Sequence, residues 1–355
     1  MELLYKPDFE EARAHWEAFW NHEIINRPCL AVTAPKEGHN IPPGPPYMDG
    51  WDGDFVEAVA RWEAHAAHIY YAGDAIPYIE PSFGPDQFGA FLGADLERAD
   101  ASYNSTSWAV PFVEDWEKVL PLRLEPENRW WKKMLEFMRV AGKAGEGKFL
   151  VGMLDLHSNM DALASIREPQ ELCMDLIDHP ELIHRAMKDV RALYPVIYEA
   201  LYEAGNMAGR GTIGWCSFYS PGRFAMTQCD FAIMLSPKMF DEFILPALTE
   251  ESNYLDHSIY HYDGIGSLRH LDSVLSNENL DGIQWVPGAG NPPQAQWTEL
   301  LVRIQEAGKS LHISASPEEI KHLHGTLKPE LVFYDTWAKN EKEADALIQW
   351  FVNHT

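Results

Sequence analysis

The sequence predicts an α/β protein: a single (β/α)8 barrel (the TIM-barrel architecture) with an N-terminal extension and insertions, one domain over residues 1–355. Three observations predict it. Eight short apolar runs punctuate the chain, several of the continuous kind seen where parallel strands are buried on both faces. Each run is followed by at least one helical pattern, and eight such units are what a barrel requires. A chain of 355 residues, 46% hydrophobic and 23% charged, can bury a core of that size.

The elements follow in order. Residues 8–22 read as a helix with Asp8 as N-cap and Trp16, Phe19 and Trp20 at helical spacing. A strand at 29–33 comes next. The run Ile41-Pro42-Pro43-Gly44-Pro45-Pro46 can be neither helix nor central strand and reads as an ordered loop or lid. A helix at 54–71 precedes a strand at 75–79. Residues 82–127 read as an inserted excursion with short helices. Then come a helix at 128–144, a strand at 149–154, a long helix at 180–203 begun by proline, and a strand at 211–215. Ser236 caps a helix with Pro237 in its first position, running to about Leu255. From there strand and helix alternate with short loops: strands at 258–261, 281–286, 311–314 and 331–335, helices from 267, at 296–307, 317–324 and 341–353. The rival is a doubly wound open sheet, but no GxGxxG follows a strand, which counts against its dinucleotide-binding form.

Charge narrows the function. Against 28 Lys and Arg stand 54 Asp and Glu, a net −26. So acidic a surface repels nucleic-acid phosphates and anionic lipid heads, which excludes nucleic acid and membrane as partners and leaves a small-molecule substrate. No apolar stretch has transmembrane length and the opening residues lack a signal-peptide pattern. The four cysteines form no CxxC, so reduced thiols and a cytoplasmic location are expected. Thirteen tryptophans fill a core, line a pocket, or do both.

In a barrel, chemistry sits at the carboxyl ends of the strands. Those ends supply Glu80 and Asp86, then Asp155 and His157 with Asn159 and Asp161 behind, then Trp215, Cys216 and Tyr219, then His261, Tyr262 and Asp263. They continue with Gln284, Trp285 and Pro287, with His312, Ser314 and Ser316, and with Asp335, Thr336 and Trp337. Asp155 and His157 are two apart and share a side; so do His261 and Asp263, which a glycine follows. We take Glu80, Asp155, His157, His261 and Asp263 as candidate catalytic groups and Trp215, Tyr219, Trp285 and Trp337 as candidate substrate-binding groups. Asp161 reads as an N-cap for the next helix. Cys216 reads either as a small buried side chain or as a ligand. His261 and Asp263 are candidate N/O metal ligands, with a third from Glu80, Cys216 or Asp335. No HExxH or CxxC is present, the HxH of His322-Leu323-His324 falls on the helix expected at 317–324 and reads as structural or solvated, and there is neither a phosphate loop nor a GxSxG elbow.

The later half resembles the uroporphyrinogen decarboxylase superfamily. The resemblance is carried by Asp230-Phe231 with Leu235-Ser236-Pro237-Lys238-Met239-Phe240, by Ile259-Tyr260-His261-Tyr262-Asp263-Gly264, by Gln284-Trp285-Val286-Pro287-Gly288, and by Glu306-Ala307-Gly308-Lys309. Asp155-Leu156-His157 followed by Ile166-Arg167-Glu168-Pro169 looks like the same family's middle region. The resemblance covers about 150–355 and implies a single (β/α)8 barrel. It implies one of two chemistries. True decarboxylases grip an acidic tetrapyrrole with an arginine-rich loop; here that stretch runs from Arg27-Pro28 to Pro35-Lys36, and the motif is absent. The other branch moves methyl groups to or from a corrinoid protein, with zinc held by His-x-Cys-Gly and a later Cys. Here His261 and Gly264 match, Asp263 replaces the cysteine, and the last strand ends Thr336-Trp337-Ala338. Soft thiolate ligands are therefore lost, leaving a harder N/O site, with zinc one occupant, or no metal.

Three functions remain open. The first is methyl transfer from a small O- or N-methyl compound to a corrinoid held on a separate protein. The second is a corrinoid-independent lyase, decarboxylase or hydrolase acting on a sugar-like or carboxylated small molecule through Glu80, Asp155 and Asp263. The third is a non-catalytic binding protein on the same fold.

Overall fold

The structure, a computed structural model, describes residues 2–99 and 106–355. Thirteen strands occur among them: β1 (Cys29–Pro35), β2 (Ile69–Gly73), β3 (Tyr78–Ile79), β4 (Asp95–Arg98), β5 (Ser107–Val110), β6 (Leu150–Met153), β7 (Thr212–Gly214), β8 (Tyr219–Ser220), β9 (Phe224–Thr227), β10 (His257–Asp263), β11 (Gly282–Val286), β12 (Ser310–Ser314) and β13 (Val332–Trp337). A seven-stranded sheet runs β2-β1-β13-β12-β11-β10-β9, and a four-stranded one β3-β6-β7-β8. Both are parallel apart from β2 and β8 at their edges. The chain is thus α/β with parallel central sheets. Its ladders, among the described residues, form these two sheets and the two-stranded β4–β5 pair, and not one closed ring.

All eight expected strands are present, and three expectations about their neighbours are corrected. The helix expected to reach residue 71 ends at Ala66, because Ile69, Tyr70 and Tyr71 pair with β1 as β2. The fourth strand is split: β7 pairs with β6, the chain reverses through β8, and β9 returns to pair with β10. The helix expected from Ser236 to about Leu255 is broken by a π-turn at Phe240–Ile244. Pro246 follows it; having no N–H and a ring that crowds the preceding turn, it displaces the ordinary hydrogen-bond register. The excursion contains short helices, Gln87–Phe91 and Trp116–Val119, and the hairpin β4–β5, while its residues 100–105 lie outside the described residues.

Strand alternation sorts the core in two. Leu30 and Val32, Tyr260 and Tyr262, Ile283 and Trp285, Leu311 and Ile313, and Val332 and Tyr334 belong to the layer packed beneath the helices. Cys29, Ala31, Leu150, Ile213, Phe224, Ile259 and Phe333, drawn from both sheets, form a second cluster with Phe9, Trp16, Phe19 and Trp20 of the first helix, Phe9–Trp20. That helix is tied in by its indoles: Trp16 donates to the Asp74 carbonyl at 3.0 Å and Trp20 to the Tyr219 carbonyl at 2.8 Å. Asp8 precedes the helix as expected, but its carboxylate pairs with Lys6 at 2.7 Å instead of capping. Among the described residues no helix is long and apolar enough to cross a membrane.

Candidate functional site

The alternation that sends Trp285 outward sends its neighbour Gln284 to the other side, with His261, His312 and Asp335 in the corresponding places on adjacent strands. Register makes them neighbours: His261 lies opposite Gln284, and Gln284 opposite His312. Gln284 Oε1 is 2.5 Å from His261 Nδ1, and Gln284 Nε2 donates to His312 Nδ1 at 2.8 Å and to Cys216 Sγ at 2.9 Å. In this arrangement His261 carries its hydrogen on Nδ1 and keeps a lone pair on Nε2. Ser217 Oγ donates to Asp335 at 3.1 Å, and the Trp215 ring meets His261 edge-on at 5.0 Å between centroids. Tyr78 holds the turn by donating to the Trp215 carbonyl at 2.8 Å.

The second sheet contributes charge. His157, at φ 38° on the loop after β6, places Nε2 2.9 Å from Asp155 Oδ2 and Nδ1 3.7 Å from Asp161 Oδ2. Gln228 donates to the other Asp155 oxygen at 2.7 Å. Burial alone would lower the His157 pKa, but Asp155, Asp161 and Asp230 together raise it to about 10, so the imidazole is cationic at neutral pH. Glu80 is pushed up to about 8 by burial and then by the Asp155 carboxylate, and is protonated at neutral pH. Asp161 is not the helix cap that was expected. Ser158 occupies that position, and Asp161 accepts from the backbone N–H groups of Asp230 at 2.9 Å and Phe231 at 2.8 Å, which fixes the loop after β9.

That loop delivers Asp230 to the pair read from the sequence. One ligand atom each from Asp230, His261 and Asp263 lie within 4.8 Å of one another. An imidazole with a free Nε2 and two carboxylates form a hard donor set that suits a divalent cation and lacks sulfur. Burial pushes the Cys216 thiol well up, and Gln284 already occupies it, so Cys216 does not complete this set as proposed from the sequence; Asp230 stands there instead. The signal for Asp230 was present in its segment, but no strand was expected at 224–227 to aim it.

Two cavities flank the cluster. One of about 550 Å³ is lined by Trp62, Tyr71, Trp215, Cys216, Gln284, His312 and Asp335 among others, from both sheets. The other, about 440 Å³, is lined by Asp86, Trp108, His157, Asp161, Asp230 and Phe231 among others. Two expected pocket residues, Tyr219 and Trp285, are elsewhere, and Trp337 lies beside the larger cavity. Tyr219 is buried against Phe9, with its hydroxyl on the Arg210 carbonyl. Trp285 packs beneath the helices with Tyr262 and Trp297. Trp337 is 54% exposed, on a neighbouring cleft that shares Thr33, Ser314 and Asp335 with the larger cavity. Trp62 and Tyr71 were missed because they belong to the helix and edge strand beside β1, not to a strand end.

No family model matches the sequence, and no curated protein matches it. Among solved structures the fold is shared with a methyltransferase from Methanosarcina mazei, at a TM-score of 0.63 and 12% identity, over 97% of this chain and 98% of that one.

Proposed function

We propose that the chain is a methyltransferase-like enzyme of the uroporphyrinogen decarboxylase superfamily, a single barrel whose two sheets enclose one interior. It takes a methyl group from a small O- or N-methyl compound for a corrinoid held on a separate protein. The observation that carries this reading is the Asp230–His261–Asp263 donor set beside an aromatic cavity, on a fold shared with a methyltransferase. A divalent cation held there would act as a Lewis acid on the oxygen of an O-methyl donor, whereas an N-methylammonium donor offers it no lone pair and needs no such help, because its nitrogen leaves as a neutral amine. Gln284 orients His261 for that role, and cationic His157, which lines the smaller cavity with Asp230, adds positive charge there. Cobalt(II) titration tests the site. We expect one ion per chain with an N/O spectrum free of sulfur charge-transfer bands, lost in His261→Ala; no bound ion, or a thiolate band, overturns it.

One observation favours a second reading. Glu80 is held protonated beside the carboxylate of Asp155, the pairing that acid–base cleavage by a lyase or hydrolase uses. Turnover of a methyl-free substrate, abolished in Glu80→Gln with bound cation removed, would select it.

A further inference from the structure

We propose that the cavity of about 550 Å³ binds a small N-methylated ammonium ion, its cationic head between the Asp335 carboxylate and the rings of Trp62, Tyr71 and Trp215. This deepens the methyl-transfer reading by naming the donor's class, and as a substrate assignment it rests on that reading.

Four observations support it. The cavity wall contains a carboxylate, and among the described residues none that lines it is a lysine or an arginine, so an anionic ligand would meet no fixed cationic side chain. Aromatic faces around a space of this size suit N-methyl groups, which carry the spread positive charge that ring quadrupoles attract. The net charge of −26 raises the local concentration of cations and lowers that of anions.

The fourth observation is a buried donor with nothing to bond. His312 is 3% exposed and lines the cavity. Gln284 donates to its Nδ1, so its hydrogen is on Nε2, and that atom has no hydrogen-bond partner among the described residues. It stands 3.8 Å from Asp335 Oδ2, beyond hydrogen-bond reach. A buried N–H left in this state is costly, and a ligand oxygen would satisfy it. The ligand therefore has an ammonium head for Asp335 and the rings and a nearby hydroxyl or ether oxygen for His312. The Trp215–His261 contact and the Gln284 bridge put this cavity next to the cation-binding set, so a methyl group held here is within the reacting region.

Calorimetric titration of the full chain, without corrinoid, tests this with three probes: choline, tetramethylammonium, and 3,3-dimethylbutan-1-ol, the uncharged isostere of choline. We expect choline to bind roughly tenfold or more tightly than the isostere. Asp335→Asn should erase that preference without lowering the melting temperature. His312→Ala should weaken choline but leave tetramethylammonium, which has no oxygen, unchanged. Equal affinity for choline and its isostere in the unmodified protein overturns the proposal, whether or not either variant folds; so does failure of both cations to bind. Because no methyl transfer is measured, a missing methyltransferase activity leaves a positive result standing. Conversely, turnover of a neutral methyl ether with no ammonium binding removes this assignment and spares the methyl-transfer reading.

Discussion

The two sheets deliver their parts of the site by different means. In the seven-stranded sheet, strands β10 to β13 are five to seven residues long and their order is uninterrupted, so His261, Gln284 and His312 meet because hydrogen-bonded register places them side by side. Adjacent strands lie about 4.8 Å apart, which is the separation that lets one carboxamide bridge two imidazoles. In the four-stranded sheet the parallel strands have two to four residues, and the polar groups leave them on loops. His157 and Asn159 both adopt positive φ, a left-handed conformation uncommon outside glycine. There, order comes from ion pairing and from Asp161 and Gln228 reaching across from other segments. The comparison teaches a division of labour: register fixes hydrogen-bonding neighbours, and loops gather the groups whose protonation is shifted.

Three substitutions can sharpen or break that division. His261→Ala removes the imidazole of the proposed donor set, so the largest effect is expected there: the proposed methyl transfer falls by about 10³-fold or more while the melting temperature barely moves. Unchanged turnover would take His261 out of the chemistry. Trp285→Ala tests the separation of inward and outward faces. Its indole is 1% exposed, so truncation should cost about 3–5 kcal/mol of stability in denaturant titrations. Choline affinity per folded molecule should be unaltered, and a matching loss of affinity would show that the two faces are coupled.

The smallest effect belongs to the loop side. Glu80 has a folded pKa raised to about 8 from an ordinary 4.5. A raised folded pKa gives stability that is complete below the unfolded value and is lost as pH climbs through the folded one. The native protein should therefore lose stability between about pH 4.5 and pH 8. Glu80→Gln should flatten that slope, by on the order of 1–3 kcal/mol over the window. Glu251, also raised to about 8 by burial, contributes to the same slope and is the control: Glu251→Gln should remove only its own share. A slope that is unchanged in Glu80→Gln would place the Glu80 carboxyl in water.

The same division explains what could be read from the sequence. The strands from β10 onward are apolar segments broken by single polar residues, and each was legible with its helix. His261 and Asp263 were legible for the same reason, since a strand that is correctly placed fixes which residues share a side. Asp230 was not singled out, because its placement depends on β9 and on Asp161, nearly seventy residues earlier in the chain, donating no local signal. Trp285 was misread through a matter of parity: a residue one place along a strand faces the opposite way, and composition does not tell which tryptophan is which. Tyr219 went wrong because a hairpin, β7 to β8, replaced the single strand expected there, and the reversal turned its ring toward the first helix.

The first helix has a further consequence for how the molecule comes into being. Trp16 lies 4.6 Å from the ring of Phe333, and Trp20 stacks at 4.3 Å on His257. A ribosome makes this helix before the strands it packs against. Until β13 has emerged, Phe9, Trp16, Phe19 and Trp20 have no complete surface to bury against, and the growing chain carries an uncovered aromatic stripe. Docking of this helix therefore waits on contacts between distant parts of the sequence, which are slow to form.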